Sequence, residues 1–182
     1  MMKPSGEPVP VKYFLAMLRA RKHATLSDVL LHTLELHWGS IDYQSQDYPF
    51  DQTDYYQEEM GEGLQRRLLA FAELRSPEEL AAAKCKCIEI EHKLSHAGKR
   101  TVNLDIGYLD HNKIVLASIK GLGQKIYLSR GVYADLVARY GHGRYQPFEW
   151  TFPDFKEGRY DKDLETIRQR YLEQLKELRH AT

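Results

Sequence analysis

Residues 101–140 read TVNLDIGYLD HNKIVLASIK GLGQKIYLSR GVYADLVARY, and this stretch decides the fold. Apolar and polar side chains alternate along it, as they do in strands that are buried on one face. The alternating segments are 102–109, 113–120, 124–128 and 132–139. Each of the short turns between them supplies a residue that tolerates the left-handed backbone conformation, and these residues are Asn112, Gly123 and Gly131. The pattern predicts an antiparallel meander whose strands pair in chain order.

Three-residue turns would fix the register of this meander, and the register assigns each side chain to a face. The predicted core face carries Val102, Leu104, Ile106, Tyr108, Ile114, Leu116, Ser118, Ile126, Leu128, Val132, Ala134 and Leu136. The predicted opposite face carries Asn103, Asp105, Gly107, Lys113, Val115, Ala117, Ile119, Lys125, Tyr127, Tyr133 and Asp135. On that opposite face, one cross-strand row holds Asp105, Ala117, Tyr127 and Tyr133, and another holds Asn103, Ile119, Lys125 and Asp135.

These rows would put Lys125 opposite Asp135, and the small Ala117 would leave a gap between Asp105 and Tyr127. Carboxylate, amide, ammonium and phenol groups around such a gap are suited to line a ligand pocket. The alternative is a half-polar sheet face that meets only water or a covering helix. The sequence leaves both interpretations open.

The N-terminal part of the chain predicts a strand, a helix and a second strand. Residues 11–18 form a short apolar and aromatic run typical of a buried strand. Thr25 and Asp28 resemble a helix capping box, apolar residues follow at helical spacing, and Gly39 ends that helix. Because residues 41–46 alternate again, we expect the parallel or split-parallel pairing usual for this unit.

Three segments lie between this opening and the meander. Residues 55–60 predict a strand, and residues 64–74 fit either a strand or a helix, with a strand preferred. Ser76 is a suitable helix N-cap, and Pro77 suits the first helical position. This helix is predicted to run to about His96.

A charged C-terminal helix is predicted over residues 160–180. Its apolar stripe consists of Leu164, Ile167, Tyr171, Leu175 and Leu178. We therefore expect one α+β domain over residues 1–182, with residues 1–10 as an extended lead-in. Its mixed, mostly antiparallel sheet would combine the βαβ-type opening, two packed helices, the meander and the C-terminal helix, around a ferredoxin-like core.

Composition excludes several classes of function. The 182 residues carry 26 Lys+Arg and 26 Asp+Glu, so the basic excess expected of a nucleic-acid-binding protein is absent from the sequence. No apolar run approaches the roughly 20 residues of a membrane-spanning helix. No secretory leader is evident, and Cys85 and Cys87 are too close in sequence to staple a fold. These features predict a cytoplasmic protein.

Two further polar clusters lie outside the meander. Cys85, Glu89, His92 and His96 share one side of the second helix and offer ligand types that a metal ion accepts. The opposite side of that helix is apolar, so the cluster fits a solvent-facing side equally well. Carboxylates and tyrosines also concentrate at residues 51–59, where Asp54 and Glu59 are candidate binding residues.

A series of short motifs resembles a known family. They are a Pro-Val-Lys near the start, Gly39-Ser-Ile-Asp42, Tyr48-Pro-Phe-Asp51, Thr53-Asp-Tyr-Tyr56, Glu59-Met-Gly61, Val102-Asn-Leu-Asp105, Gly107-Tyr-Leu109, Ile126-Tyr-Leu128, Gly131-Val-Tyr-Ala134 and Trp150-Thr-Phe-Pro-Asp154. In them the sequence resembles the bacterial family called domain of unknown function 4416, over about residues 8–175. This resemblance implies an uncharacterised protein rather than a particular reaction.

The resemblance also implies a polar signature. It falls on Asp54, Tyr55, Tyr56, Glu59, Asn103, Asp105, Lys113, Lys120, Tyr127 and Tyr133. The chain departs from the family pattern at Ile106, where Pro is usual, and at three short segments, 70–72, 87–88 and 119–121, where polar residues are usual. Any chemistry that relatives carry at those polar positions would be reduced here.

Two functions are therefore predicted. The first is binding of a small polar or anionic, nucleotide-like ligand on the polar face of the meander. Its candidate residues are Asn103, Asp105, Lys120, Lys125, Tyr127, Tyr133, Asp135, Asp54 and Glu59. The second is a non-catalytic interaction module whose C-terminal helix joins another protein or a second copy of the chain. The sequence identifies no cofactor and leaves open whether a bound ligand reacts.

Overall fold

A computed structural model describes residues 6, 8–22, 27–51 and 56–180. The strands are β1 (Val11–Ala20), β2 (Ile41–Gln44), β3 (Tyr48–Pro49), β4 (Leu64–Arg75), β5 (Val102–Leu109), β6 (Lys113–Ser118), β7 (Ile126–Ser129), β8 (Val132–Gly141) and β9 (Arg144–Pro147). The helices are α1 (Ser27–Trp38), α2 (Gln57–Met60), α3 (Leu80–Leu94), α4 (Pro153–Lys156) and α5 (Asp161–His180). The predicted cap at Thr25 and most of the predicted lead-in lie outside the described residues.

The expected α+β architecture is confirmed. The main sheet has the order β2-β4-β1-β5-β6-β8-β7, and β3 and β9 add to β4 and β8. The first four strands of this order, with α1 and α3 on one side, reproduce the ferredoxin-like βαββαβ arrangement. β4 lies between β1 and β2, which is the split-parallel arrangement, one of the two that the sequence predicted.

The downstream strands do not form the predicted meander. β8 lies between β6 and β7, so the chain leaves β6, passes to the sheet edge as β7, and returns through β8. The strand positions themselves agree with the prediction within a few residues. Consecutive strands are neighbours in only about two-thirds of connections, and the connection from β6 to β7 is an exception.

The predicted register between β5 and β6 is wrong by one residue. Leu109 lies opposite Ile114, rather than opposite Lys113 as a three-residue turn requires. The turn is one residue shorter than predicted, because Asp110 N donates to Lys113 O at 3.0 Å and only His111 and Asn112 lie between them. The Asp110 carboxylate also accepts hydrogen bonds from the backbone N–H groups of Asn112 and Lys113, at 2.7 and 2.8 Å. Every β6 side chain therefore changes face, and the predicted faces are corrected for this strand. Val115 now packs beneath α1 and α3.

Two segments before α3 differ in how well they match the prediction. The strand interpretation of residues 64–74 is confirmed by β4. The strand predicted at 55–60 is wrong, because residues 57–60 form the helical turn α2, closed by a 2.8 Å hydrogen bond from Met60 N to Tyr56 O. That turn buries Met60 against Leu18 and directs the neighbouring Glu59 away from the core.

The predicted C-terminal helix is confirmed as α5, which covers the sheet face opposite α1 and α3. Leu164, Ile167, Tyr171 and Leu175 of its apolar stripe are buried against the sheet, and only Leu178 of that stripe is exposed. Most of the stripe thus packs within the chain itself. The predicted role of α5 in joining another protein stays a prediction, supported by the exposure of Leu178 alone within this stripe. Among the described residues, no helix combines the length and the apolar character needed to cross a membrane.

Candidate functional site: a cleft between two strands

The sheet opens between β5 and β6. In the part of the chain that the structure describes, these strands pair only from Gly107 to Leu109 on β5 and from Ile114 to Leu116 on β6. The N-terminal half of β5 stays paired with β1 on its other side. Its remaining edge thus faces an opening, which we call the β5–β6 cleft.

Two side chains of α3 satisfy the backbone at this open edge. Leu104 N donates to Glu91 Oε1 at 2.6 Å, and Lys84 Nζ donates to Leu104 O at 2.8 Å. Lys84 and Glu91 are seven residues apart, which places them on the same side of the helix, and both are buried. Desolvation raises the pKa of Glu91 above its ordinary value. At Leu104, side chains rather than a neighbouring strand thus complete the hydrogen bonding of β5.

The cleft encloses a cavity of about 210 Å³. It is lined by Tyr56, Lys84, Ile88, Glu91, Arg100, Asn103, Asp105, Leu116, Ala117, Ser118, Ile119, Lys120, Lys125, Asp135 and Phe152. The buried members of this set form the floor, and they are Lys84, Glu91, Asn103, Leu116, Ala117 and Asp135. Ile119, Lys120 and Phe152 are exposed and form the rim.

One wall of the cleft is a network around Asp105. The Asp105 carboxylate accepts a 2.9 Å hydrogen bond from Asn103 Nδ2 and lies 3.6 Å from Lys84 Nζ. On its far side, the buried Arg66 guanidinium lies 3.8 Å away. Asn103 in turn accepts a 2.9 Å hydrogen bond from Arg100. The wall is therefore held by charged and polar side chains from β4, α3 and β5.

Glu59 fixes the Arg100 guanidinium at the edge of this wall. Arg100 donates to both carboxylate oxygens of Glu59, at 2.8 and 2.7 Å. These hydrogen bonds hold the pKa of Glu59 below its ordinary value and raise the pKa of Arg100. Glu59 itself is not part of the cavity lining, so it acts on the cleft through Arg100.

The other wall contains the predicted pair of Lys125 and Asp135. Their charged atoms lie 3.3 Å apart, which confirms their expected opposition. Lys125 Nζ also donates to Ser118 Oγ at 3.0 Å, and Gln124 donates to Asp135 at 2.8 Å. Among the described residues, the three donors of the Lys125 ammonium group thus have two partners, which leaves one N–H for another acceptor.

Most of the predicted site residues meet at this cleft. Asn103, Asp105, Lys120, Lys125 and Asp135 line it, and Glu59 supports it through Arg100. Asp54 lies outside the described residues. Tyr127 and Tyr133 face each other across β7 and β8 as predicted, with ring centroids 5.3 Å apart, but neither is part of the lining.

Five residues of the lining were not predicted as site residues, namely Lys84, Glu91, Arg100, Ser118 and Phe152. A signal for two of them was available in α3. Lys84 and Glu91 fall within the apolar side of that helix, and oppositely charged residues on a buried side need buried partners. The corrected register accounts for Ser118, because it moves this residue from the face predicted as core to the face that carries Asn103 and Asp105.

The metal cluster considered on α3 finds no geometric support. No group of three or more His, Cys, Asp or Glu side chains comes close enough to hold a metal ion within the described residues. Glu89 pairs with Lys86, and Cys85 packs partly against the core. The opposite stripe of α3, which includes Cys87, forms part of the core as predicted.

Comparison with known proteins identifies the family of the chain. A family model described as Domain of unknown function (DUF4416) matches residues 9–171 of the 182 residues. The chain belongs to this family, and the resemblance read from its motifs is confirmed. Neither the curated proteins nor the solved structures contain a match to it.

Proposed function

We propose that this member of the DUF4416 family binds a small polar ligand by placing an anionic group of that ligand in the β5–β6 cleft. One observation carries the proposal. The cleft is built into the sheet, because Lys84 and Glu91 hold the β5 edge open by taking both hydrogen-bonding groups of Leu104. An opening held by buried charged side chains, instead of closed by a neighbouring strand, favours occupation by a polar group.

The charges around the cavity support an anionic group. Four cations, Lys84, Arg100, Lys120 and Lys125, face three carboxylates, Glu91, Asp105 and Asp135. The wall that holds Lys120 and Lys125 carries only one of these carboxylates, so the positive potential is strongest there. A phosphate or carboxylate oxygen beside Lys125 would accept its remaining N–H and form a charge-assisted hydrogen bond.

The volume of the cavity limits how much of a ligand can enter it. Pockets for drug-sized ligands span roughly 300–1,000 Å³, and the cavity is about 210 Å³. Of the nucleotide-like ligand predicted from sequence, we therefore propose that only the anionic end enters the cleft. The partner is a small molecule rather than a nucleic acid, in keeping with the balanced charge of the chain.

The proposal includes a cytoplasmic location. Cys85 and Cys87 are both free thiols, and Cys87 is buried. Burial in apolar surroundings raises the pKa of the Cys87 thiol, which keeps it protonated and unreactive. Free thiols at both positions agree with a reducing compartment.

A thermal-shift series tests the anion site. Inorganic phosphate, sulfate and acetate are compared with chloride at matched ionic strength, so that general salt effects cancel. A ligand that binds the native state raises the melting temperature by mass action. We expect at least one oxyanion to do so, and Lys125→Gln to reduce the ligand-induced shift.

Lys113→Gln is the matched control, because Lys113 also lies in an ion pair on this sheet, with Asp110, and does not line the cavity. This variant should keep the shift caused by the oxyanion. The proposal is wrong if no oxyanion stabilises the protein beyond chloride. It is also wrong if Lys125→Gln and Lys113→Gln respond alike.

A further inference from the structure

The rim of the β5–β6 cleft includes exposed apolar side chains, whereas its floor is mostly charged and polar. Phe152 and Ile119 both line the cavity, and their side chains are 47% and 59% exposed. Ile88 of α3, half-buried, continues the same apolar surface. Single exposed apolar residues are common on proteins, but these three come from separate parts of the chain and border one cavity. Together they favour a ligand that places an apolar group at the opening of the cavity.

Phe152 is held in place by the segment that carries it. Thr151, directly before it, is buried and donates its hydroxyl to Val137 O, at 2.5 Å. The same hydroxyl oxygen accepts a 3.0 Å hydrogen bond from Phe148 N. Trp150 stacks on Phe148 with ring centroids 4.7 Å apart and donates to Leu136 O at 2.9 Å. The Phe152 ring is thus presented by an anchored segment, which lowers the entropic cost of using it as a contact.

We infer that the ligand is an oxyanion joined directly to a planar aromatic group, as in an aryl phosphate or an aryl carboxylate. This inference rests on the anion site proposed above. The oxyanion occupies the polar cavity beside Lys125, and the ring lies at the mouth between Phe152 and Ile119. Since aromatic rings associate in offset or edge-to-face geometry, Phe152 provides affinity that an aliphatic ligand would gain only in part.

Three probes separate the two parts of the ligand. Inorganic phosphate tests the cavity alone, methyl phosphate adds a small ester group, and phenyl phosphate adds the ring. Titration calorimetry on the full chain should show phenyl phosphate binding about tenfold more tightly than methyl phosphate, the factor that corresponds to one aromatic contact.

Variants at the rim test the assignment of the ring. Phe152→Ala should bring the affinity for phenyl phosphate down to that for methyl phosphate, and Phe152→Leu should restore part of it. Leu122→Ala is the control, because Leu122 is 81% exposed on the neighbouring loop and does not line the cavity. Both rim substitutions replace an exposed side chain, so melting temperatures should stay close to that of the wild-type protein.

The outcomes distinguish this inference from the proposed function. If none of the three phosphates binds, the anion site itself is wrong. If all three bind with equal affinity, or if Phe152→Ala and Leu122→Ala bind phenyl phosphate equally well, the anion site stands and the aromatic assignment is overturned.

Discussion

Two buried lysines, Lys12 and Lys84, show how differently the two sides of this sheet use the same side chain. Lys12 of β1 lies beneath α5, where its ammonium group donates to Asp42 at 2.7 Å, Phe71 O at 2.8 Å and Gln174 at 2.8 Å. Lys84 of α3 makes one such bond, to Leu104 O, and has the Asp105 carboxylate 3.6 Å away across the cavity.

The difference separates buried charges that stabilise the fold from buried charges that can still bind a ligand. An ammonium group has three donors, and those of Lys12 all have acceptors within the chain. Burial lowers the pKa of Lys12, and the contact with Asp42 opposes that effect. The cleft groups are more loosely paired, with contacts of 3.3 and 3.6 Å, and they border empty volume. A network whose hydrogen-bonding groups all have partners, like that of Lys12, holds the sheet and α5 together. A network with groups that still lack partners can bind a ligand.

The largest effect is expected when the positive charge of Lys12 is removed. Lys12→Met keeps the length of the side chain but leaves the Asp42 carboxylate without its cation. Because breaking a buried ion pair from one side leaves an uncompensated charge, we expect a loss of about 3–5 kcal/mol in the free energy of unfolding. Urea denaturation followed by circular dichroism measures it.

Lys113→Met is the comparison for that measurement, because its ion pair with Asp110 is partly exposed. Exposed pairs contribute roughly 0–1 kcal/mol, so this variant should stay close to wild type. Similar losses in the two variants would contradict the structural role given to Lys12.

A second test concerns the point where β5 and β6 begin to pair. A Cβ atom on Gly107 would lie 2.3 Å from Val115 O, and one on Gly121 would lie 2.3 Å from the end of the Tyr133 ring. The obstacle is backbone in the first case and a side chain that can rotate away in the second. We expect Gly107→Ala to lower the free energy of unfolding by about 2–3 kcal/mol, the upper part of the overpacking range.

Gly121→Ala should cost less than about 1 kcal/mol, as surface substitutions usually do. The same denaturation experiment compares the two variants. If Gly107→Ala is tolerated as well as Gly121→Ala, the close approach of the two strands next to the cleft does not require a glycine at position 107.

The positions of the strands and helices could be predicted from the sequence better than the cleft could. Strand and helix positions followed from periodicity, since β1, α3, β5 and α5 each carry a clear apolar pattern. The register did not follow, because the turn between β5 and β6 holds two residues instead of the predicted three. The pairing order did not follow, because β8 inserts between β6 and β7. Local sequence contains no record of which strands become neighbours across a longer connection.

The candidate site was predicted in part for the same reason. Lys125 and Asp135 lie near a tight turn, so their opposition survived the error in strand order. Arg100 and Phe152 reach the cleft from distant segments, and only the tertiary structure brings them there. Asp105 was correctly placed on the polar face, yet its partners Lys84 and Arg66 come from α3 and β4.

A third test opens the cleft edge further. Glu91→Ala removes the acceptor for the buried Leu104 N–H group, and an unsatisfied buried donor costs about 1–2 kcal/mol. Hydrogen exchange measured by nuclear magnetic resonance should show faster exchange at the Leu104 amide. Glu91→Gln keeps an acceptor oxygen and should protect that amide. Equal exchange in the two variants would mean that the edge is not held by Glu91.

The smallest effect is a pH dependence with opposite signs at two carboxylates of the cleft region. Glu59 has a pKa held below its ordinary value of 4.5 by its hydrogen bonds with Arg100, so its contribution to stability is present above that value and is lost as the pH falls. Glu91 has a pKa raised by desolvation, so its ionisation lowers stability as the pH rises through and above 4.5.

Differences between variants isolate these contributions from general acid unfolding. Melting temperatures of wild type, Glu59→Gln and Glu91→Gln are compared across the acidic range. As the pH falls, the advantage of wild type over Glu59→Gln should shrink, because the carboxylate becomes protonated and its ion pair disappears. Over the same range wild type should gain relative to Glu91→Gln, because it no longer buries a charge. Glu59 is partly exposed and screened by salt, so its slope should be shallow. Slopes of the same sign would show that the two carboxylates share one environment, and the distinction between Glu59, paired with Arg100 outside the cavity, and Glu91, desolvated in its floor, would then fail.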